Sequence, residues 1–157
     1  MSLPHKSAQS AGPLAILCGM AFSAVISDLH RRLADAGYGD LRPVHGYIFQ
    51  RIAGYGATSA QIAAHLGITR QSTQQILDEL QQADYIRREP NLEDARSKLV
   101  ALTAKGTACL EVVEGAFHAI DHDWSRRLGH EAYAELKQAL ATMAEAGEVR
   151  GPLRPIW

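Results

Sequence analysis

Cysteine is scarce in this sequence, and the two present, Cys18 and Cys109, lie far apart in apolar helical patterns. With no secretion leader, they read as reduced thiols used as small core residues. No apolar run approaches the roughly 20 residues needed to cross a bilayer, so no membrane partner is expected. No basic-then-apolar leader with a cleavage site opens the chain, which sets the expectation of a cytoplasmic protein. A net excess of either sign is also lacking: 16 bases against 17 acids leave −1, which argues neither for nor against nucleic acid. There is no phosphate loop, no glycine-flanked serine and no carboxylate pair at useful spacing, so an enzyme is not expected. His118 and His122 lie one helical turn apart, but no further ligands stand at fixed spacing, so neither a metal nor a cofactor is expected. Internal repeats and low-complexity segments are absent.

What is present is an ordinary globular composition, 46% hydrophobic over 157 residues, enough for one compact domain with appendages. Leu14, Leu17, Ala21, Val25, Leu29, Leu33 and Ala36 recur at three- and four-residue steps, one stripe of a long helix. Pro13 suits its first turn and Gly37 the left-handed position after it. That stripe is expected to pack inward, while a second apolar edge (Ile16, Phe22, Ile26) asks for a partner subunit. A second helix starts near Pro43 with Val44, Ile48 and Ile52, and stops at Gly54-Tyr55-Gly56. Thr58 and Gln61 form a capping box that opens a third, carrying Ile62, Ala63 and Leu66 up to Gly67. Thr69 caps a fourth, with Thr73, Ile76, Leu77 and Leu80 inward.

The period then changes. Residues 85–89 read as a strand ended by Pro90, 91–97 as a polar turn, and 98–102 as a second strand, together a hairpin. Thr103 caps a long helix carrying Leu110, Val113, Phe117, Ile120, Trp124 and Leu128, which Gly129 breaks. A last helix carries Tyr133, Leu136, Leu140 and Met143 to Gly147, and 151–157 form a tail. The fold class is mostly α with a small β-hairpin.

Two short helices joined by a glycine turn and followed by a hairpin make a winged helix-turn-helix. Ala63 must be small where the second helix of the pair crosses it, and Ile62, Leu66, Ile68 and Ile76 fill the wedge. On the outward face of the fourth helix, Arg70, Gln71, Ser72, Gln74 and Gln75 occupy the first two turns without an acid among them. Arginine and glutamine carry the forked donors and acceptors that match guanine and adenine edges in the major groove. Between 85 and 105 five bases (Arg87, Arg88, Arg96, Lys98, Lys105) face three acids (Glu89, Glu93, Asp94).

These segments resemble the MarR (multiple-antibiotic-resistance regulator) family of winged helix-turn-helix transcription regulators. The resemblance rests on Gln61 to Thr73 (QIAAHLGITRQST), Leu77 to Leu80 (LDEL), Asp84 to Arg88 (DYIRR) and Asp94 to Gly106 (DARSKLVALTAKG). It implies one domain over 1–157, with dimerisation helices at 11–37 and 103–147 around a DNA-binding region at 43–102. It implies that Arg96 sits at the wing tip and enters the minor groove, braced by Asp94, with Lys98 beside it on the wing. It implies a homodimer whose recognition helices enter successive major grooves of a pseudo-palindromic operator in double-stranded DNA. Phe117, Ile120, Trp124, Tyr133, Leu136 and Leu140 are then interface candidates. Relatives are commonly repressors released by a small aromatic or anionic effector; here Phe22, His30, His45, Tyr47 and His118 are the residues placed to bind one. Two alternatives stay open: a thiol-based redox switch at Cys18, matched with Phe22 and Arg32, and a winged helix that docks protein without binding DNA.

Overall fold

In the computed structural model, residues 12–147 are described. Position 11 of the expected first segment and the tail 151–157 fall outside them. The elements run α1 (Leu14–Asp35), α2 (Pro43–Ile52), β1 (Ala57–Thr58), α3 (Ser59–Leu66), α4 (Arg70–Gln82), β2 (Ile86–Pro90), β3 (Lys98–Leu102), α5 (Ala104–Leu128) and α6 (His130–Ala146). The helix boundaries follow the caps read from the sequence. Thr58, Thr69 and Thr103 each accept the backbone N–H three residues on. Each bond satisfies one donor that the first helical turn leaves unpaired. Gly67 takes the left-handed conformation at φ 69°, where a side chain would be strained, and its N–H closes α3 onto Ala63.

One strand is missing from the sequence expectation. Ala57–Thr58 pairs antiparallel with β3, so the sheet has three strands in the order β1-β3-β2. Two residues carry no readable alternation, and the pairing exists only because α2 delivers them to the edge of β3. In the hairpin, Ile86 faces Leu102 and Pro90 faces Lys98. β2 therefore begins one residue later than expected and ends on its proline.

The core lies where α2, α3, α4 and the sheet meet the C-terminal turns of α1 and the N-terminal half of α5. Ile48, Phe49, Ile52, Ile62, Leu77, Leu80, Tyr85, Ile86 and Val100 are all essentially inaccessible. Each large apolar side chain so buried contributes roughly 1.5–3 kcal/mol relative to exposure. Tyr85 anchors this region: its hydroxyl donates to Asp40 at 2.6 Å and its ring packs on Phe49. The start of α5 is pressed against the same residue. Thr103 N–H donates to the Tyr85 carbonyl, and a Cβ on Gly106 would lie 2.2 Å from that oxygen. The Leu102-Thr103-x-x-Gly106 signature is thus the joint between wing and long helix, and only glycine fits its last position.

Two expectations for α1 need correction. Its stripe is buried only at Leu29 and Leu33; Leu14, Leu17 and Ala21 are exposed, left uncovered by the other described elements. By length and composition α1 is also apolar enough to cross a membrane, contrary to expectation, although Gly19, Ser23 and Ser27 interrupt its apolar runs. Its C-terminal half is instead docked: Arg32 donates to Asp123 of α5 at 2.7 Å. Phe117, Leu128, Leu136, Leu140 and Met143 are exposed on α5 and α6, while Ile120 is core and Trp124 and Tyr133 are half-buried.

Candidate nucleic-acid interface

α3 packs against α4 with Ala63 buried, and α4 presents to solvent the face opposite Thr73, Leu77 and Leu80, which are buried. Thr73, where an aliphatic residue would also fit, keeps its hydroxyl satisfied by donating to the Thr69 carbonyl at 3.0 Å. Arg70, Gln71, Ser72, Gln74 and Gln75 are all exposed, as expected. They are not equally free. The Ser72 hydroxyl accepts from Thr69 Oγ1 at 2.9 Å, and Gln74 Nε2 donates to Asp78 Oδ1 at 2.9 Å. Arg70, Gln71 and Gln75 have no side-chain partner among the described residues. Neither α3 nor α4 carries an acid in its first turn, so the partial positive charge of both N-termini is left uncompensated.

The wing lies alongside. Of the five bases between 85 and 105, three are engaged within the fold. Arg87 bonds the Leu102 carbonyl and Glu89; Arg88 bonds Gln81 and, at 2.7 Å, Asp78; Lys105 donates to the Ala83 carbonyl over the Tyr85 ring. Arg88 holds the Asp78 carboxyl below the usual range. Arg96 and Lys98 are exposed, and their side chains make no hydrogen bond or ion pair with a described residue. They flank a cleft between α4 and the wing that Thr58, Ser59, Gln74 and Arg88 also line.

The bracing of Arg96 differs from expectation. Asp94 Oδ1 accepts the backbone N–H of Arg96 at 3.0 Å rather than its guanidinium, and the Asp94 carbonyl accepts Ser97 N–H at 3.0 Å. A carboxylate two residues before an N–H closes an Asx-type turn more readily than it reaches a long mobile side chain. Asp94 therefore shapes the loop and leaves the guanidinium outward.

Of the five effector candidates, the structure brings His30 and His45 together. His30 and His45 come close enough for their charges to interact, at the junction of α1 and α2. His45 closes the α2 cap: its Nδ1 accepts Arg42 N–H at 3.1 Å, and burial above all, with Arg42 next, pushes its pKa down to about 4. Its Nε2 is buried without a partner among the described residues. Burial lowers His30 as well, against a hydrogen bond to the Leu41 backbone. Tyr47 packs half-buried on the core, whereas Phe22 and His118 are exposed on α1 and α5. Cys18 is half-exposed, and Arg32, matched to it above, is held by Asp28 and Asp123. Cys109 is buried, and burial first, then Asp40, pushes its thiol up to about 11. Asp40, the exposed partner of the buried Tyr85, and the Gln74–Asp78–Arg88 chain were missed from sequence; the four-residue step from Gln74 to Asp78 was the available signal.

A helix pair presenting an acid-free polar face, with a basic hairpin at its flank, defines a winged helix-turn-helix protein. The MarR family model matches residues 40–97. Similar solved structures include the apo form of MarR from E. coli, at 21% identity and TM-score 0.71, covering 85% of this chain and 98% of that one. A MepR mutant of S. aureus bound to an oligodeoxyribonucleotide is 20% identical at TM-score 0.62, covering 88% and 100%. The transcriptional repressor CouR, bound to a 23-mer DNA duplex, is 25% identical at TM-score 0.67, covering 92% and 99%. No curated protein matches the chain. The segment 40–97 thus matches the MarR family, and the chain as a whole shares the fold of these structures.

Proposed function

We propose that this protein is a homodimeric, sequence-specific DNA-binding transcription repressor whose hold on its operator is released by a small aromatic or anionic ligand. The observation that carries the reading is the free set Arg70, Gln71 and Gln75 on α4 with Arg96 and Lys98 on the wing. All five side chains are exposed and have no partner among the described residues, on the fourth helix and the hairpin, which a part-exposed Arg88–Asp78 ion pair of small energetic worth bridges. Side chains near the N-terminus of α4 suit base edges in a major groove. An outward arginine on the wing suits the negative potential of a narrow minor groove. Relatives solved with DNA, one of them named a repressor, support the same assignment.

The dimer rests on exposed apolar surface. Ile16, Met20 and Phe22 of α1 and Leu136, Leu140 and Met143 of α6 are too many large apolar groups to leave in water. A second copy covers them with the helices assigned to dimerisation, 11–37 and 103–147, leaving the region 43–102 to meet DNA. Lipid is the poorer occupant, because the C-terminal turns of α1 are already buried in the protein's own core. For the ligand, the Nε2–H of His45 and the neighbouring His30 are donors suited to a carboxylate.

A gel shift with the DNA upstream of the protein's own gene, repeated with a panel of aromatic acids, tests the reading. Retardation that one of the acids reverses is the expected result. Failure of the verified dimer to retard any genomic fragment at low salt favours a protein-docking role instead.

A further inference from the structure

The Gln74–Asp78–Arg88 chain runs from strand β2 through α4 to one of the side chains offered to DNA. Asp78 Oδ1 accepts from both Arg88 Nη2 at 2.7 Å and Gln74 Nε2 at 2.9 Å. A carboxylate held ionised by a guanidinium can only accept. It tolerates the amino end of the Gln74 amide and repels the carbonyl end. The two ends of a glutamine amide are otherwise interchangeable by a half-turn, and an exposed glutamine samples both. Here one of them is fixed: Nε2 faces Asp78, and Oε1 faces away from it as an acceptor. Arg88 is the less mobile member of the chain, since it is half-buried against α4 and also bonds Gln81.

We propose that Asp78 is a positioning residue that fixes the amide of Gln74, so that the base it meets must carry a major-groove amino group. This rests on the DNA-binding reading above. Adenine, with its N6 amino group beside the N7 acceptor, fits a fixed acceptor with one remaining N–H beside it. Cytosine offers a single bond through N4. Guanine presents two acceptors, O6 and N7, and thymine presents O4; the one remaining N–H can meet an acceptor, but Oε1 meets each of them with repulsion, so both are disfavoured. Without Asp78 the amide turns freely and selects little. In this role Asp78 does not touch DNA, although it lies on the exposed face of α4.

Binding sites are selected from randomised duplexes with the full-length wild type, Gln74→Ala, Asp78→Asn and Asp78→Glu. Dissociation constants are then measured for the four base pairs at the position whose preference Gln74→Ala abolishes. Wild type is expected to favour the amino-bearing base there by about 3- to 10-fold, the worth of one hydrogen bond. Asp78→Asn, whose own amide can donate or accept, is expected to lose that preference while its melting temperature and the salt dependence of binding stay unchanged. Asp78→Glu, which keeps an acceptor-only group, is expected to restore part of it. The proposal is overturned if Asp78→Asn keeps the full preference, or if Gln74→Ala abolishes none. No enrichment of any sequence by wild type overturns the DNA-binding reading itself, and this proposal with it.

Discussion

Replacing Arg96 by alanine separates a DNA contact from a structural role, because the loop around it is built without the guanidinium. The turn is held by Arg96 N–H on Asp94 Oδ1 at 3.0 Å, Ser97 N–H on the Asp94 carbonyl at 3.0 Å, and Asn91 Nδ2 on Ser97 Oγ at 2.8 Å. All three survive truncation of the side chain. An exposed change of this kind shifts stability by no more than about 0.5 kcal/mol. For a domain of this size that is a change in Tm of about 1–2 °C. Binding is different. A good groove contact by arginine is worth roughly 1–3 kcal/mol, and a symmetric dimer has two. The operator complex therefore weakens by about 2–6 kcal/mol, some 30-fold to 10⁴-fold in Kd. Fluorescence anisotropy with a labelled operator at one fixed salt concentration measures this, with thermal melts alongside. An unchanged Kd means that the wing does not meet DNA. A Tm lowered by many degrees means that Arg96 holds the fold, and in either case the assignment of the wing fails.

Asp94→Ala removes the acceptor that shapes the same loop, so it is expected to weaken binding by about 0.5–1.5 kcal/mol, less than Arg96→Ala; the same anisotropy series reads it, and a larger loss than Arg96→Ala contradicts the geometry. His45, with a folded pKa near 4 against roughly 6.5 unfolded, binds its proton more readily in the unfolded chain, so stability falls as pH drops through that window. Urea melts at pH 7.5 and 4.5 are expected to show a loss of up to about 3 kcal/mol. His45→Gln, which can keep the reciprocal cap as Gln61 does in α3, removes most of it; an equal loss in the variant assigns the effect to other groups. Cys18→Ser is expected to leave DNA binding and ligand response intact, since Arg32 is already held by Asp28 and Asp123. Release of DNA by a stoichiometric organic hydroperoxide from wild type but not from Cys18→Ser establishes a redox switch instead.

The parts legible in the sequence are those set by local chemistry. Threonine caps, the left-handed Gly67, the periodicity of each helix and the strand-turn-strand of 85–102 depend on residues within one turn of each other. What escaped was set by distance. β1 exists only through its pairing with β3, and the stripe of α1 is buried only at Leu29 and Leu33. The α4 surface was legible as a list of exposed residues but not as a hierarchy. That Gln74 and Ser72 are engaged and Gln71 and Gln75 free is decided by Asp78, Arg88 and Thr69 together. Among the effector candidates, sequence placed aromatic and imidazole groups on three helices, and their folding together, as of His30 with His45, was not legible in it.

Sequence-specific binding to duplex DNA is the central claim, and one ratio tests it. The Kd of the purified dimer for a pseudo-palindromic duplex enriched from its own genome is compared with that for a scrambled duplex of equal length, at one stated near-physiological salt. The account predicts a preference of about 10³-fold or more, with affinity for both falling steeply as salt rises. A ratio near one, with the same salt dependence, means that the basic surface attracts phosphate without reading bases, and contradicts it.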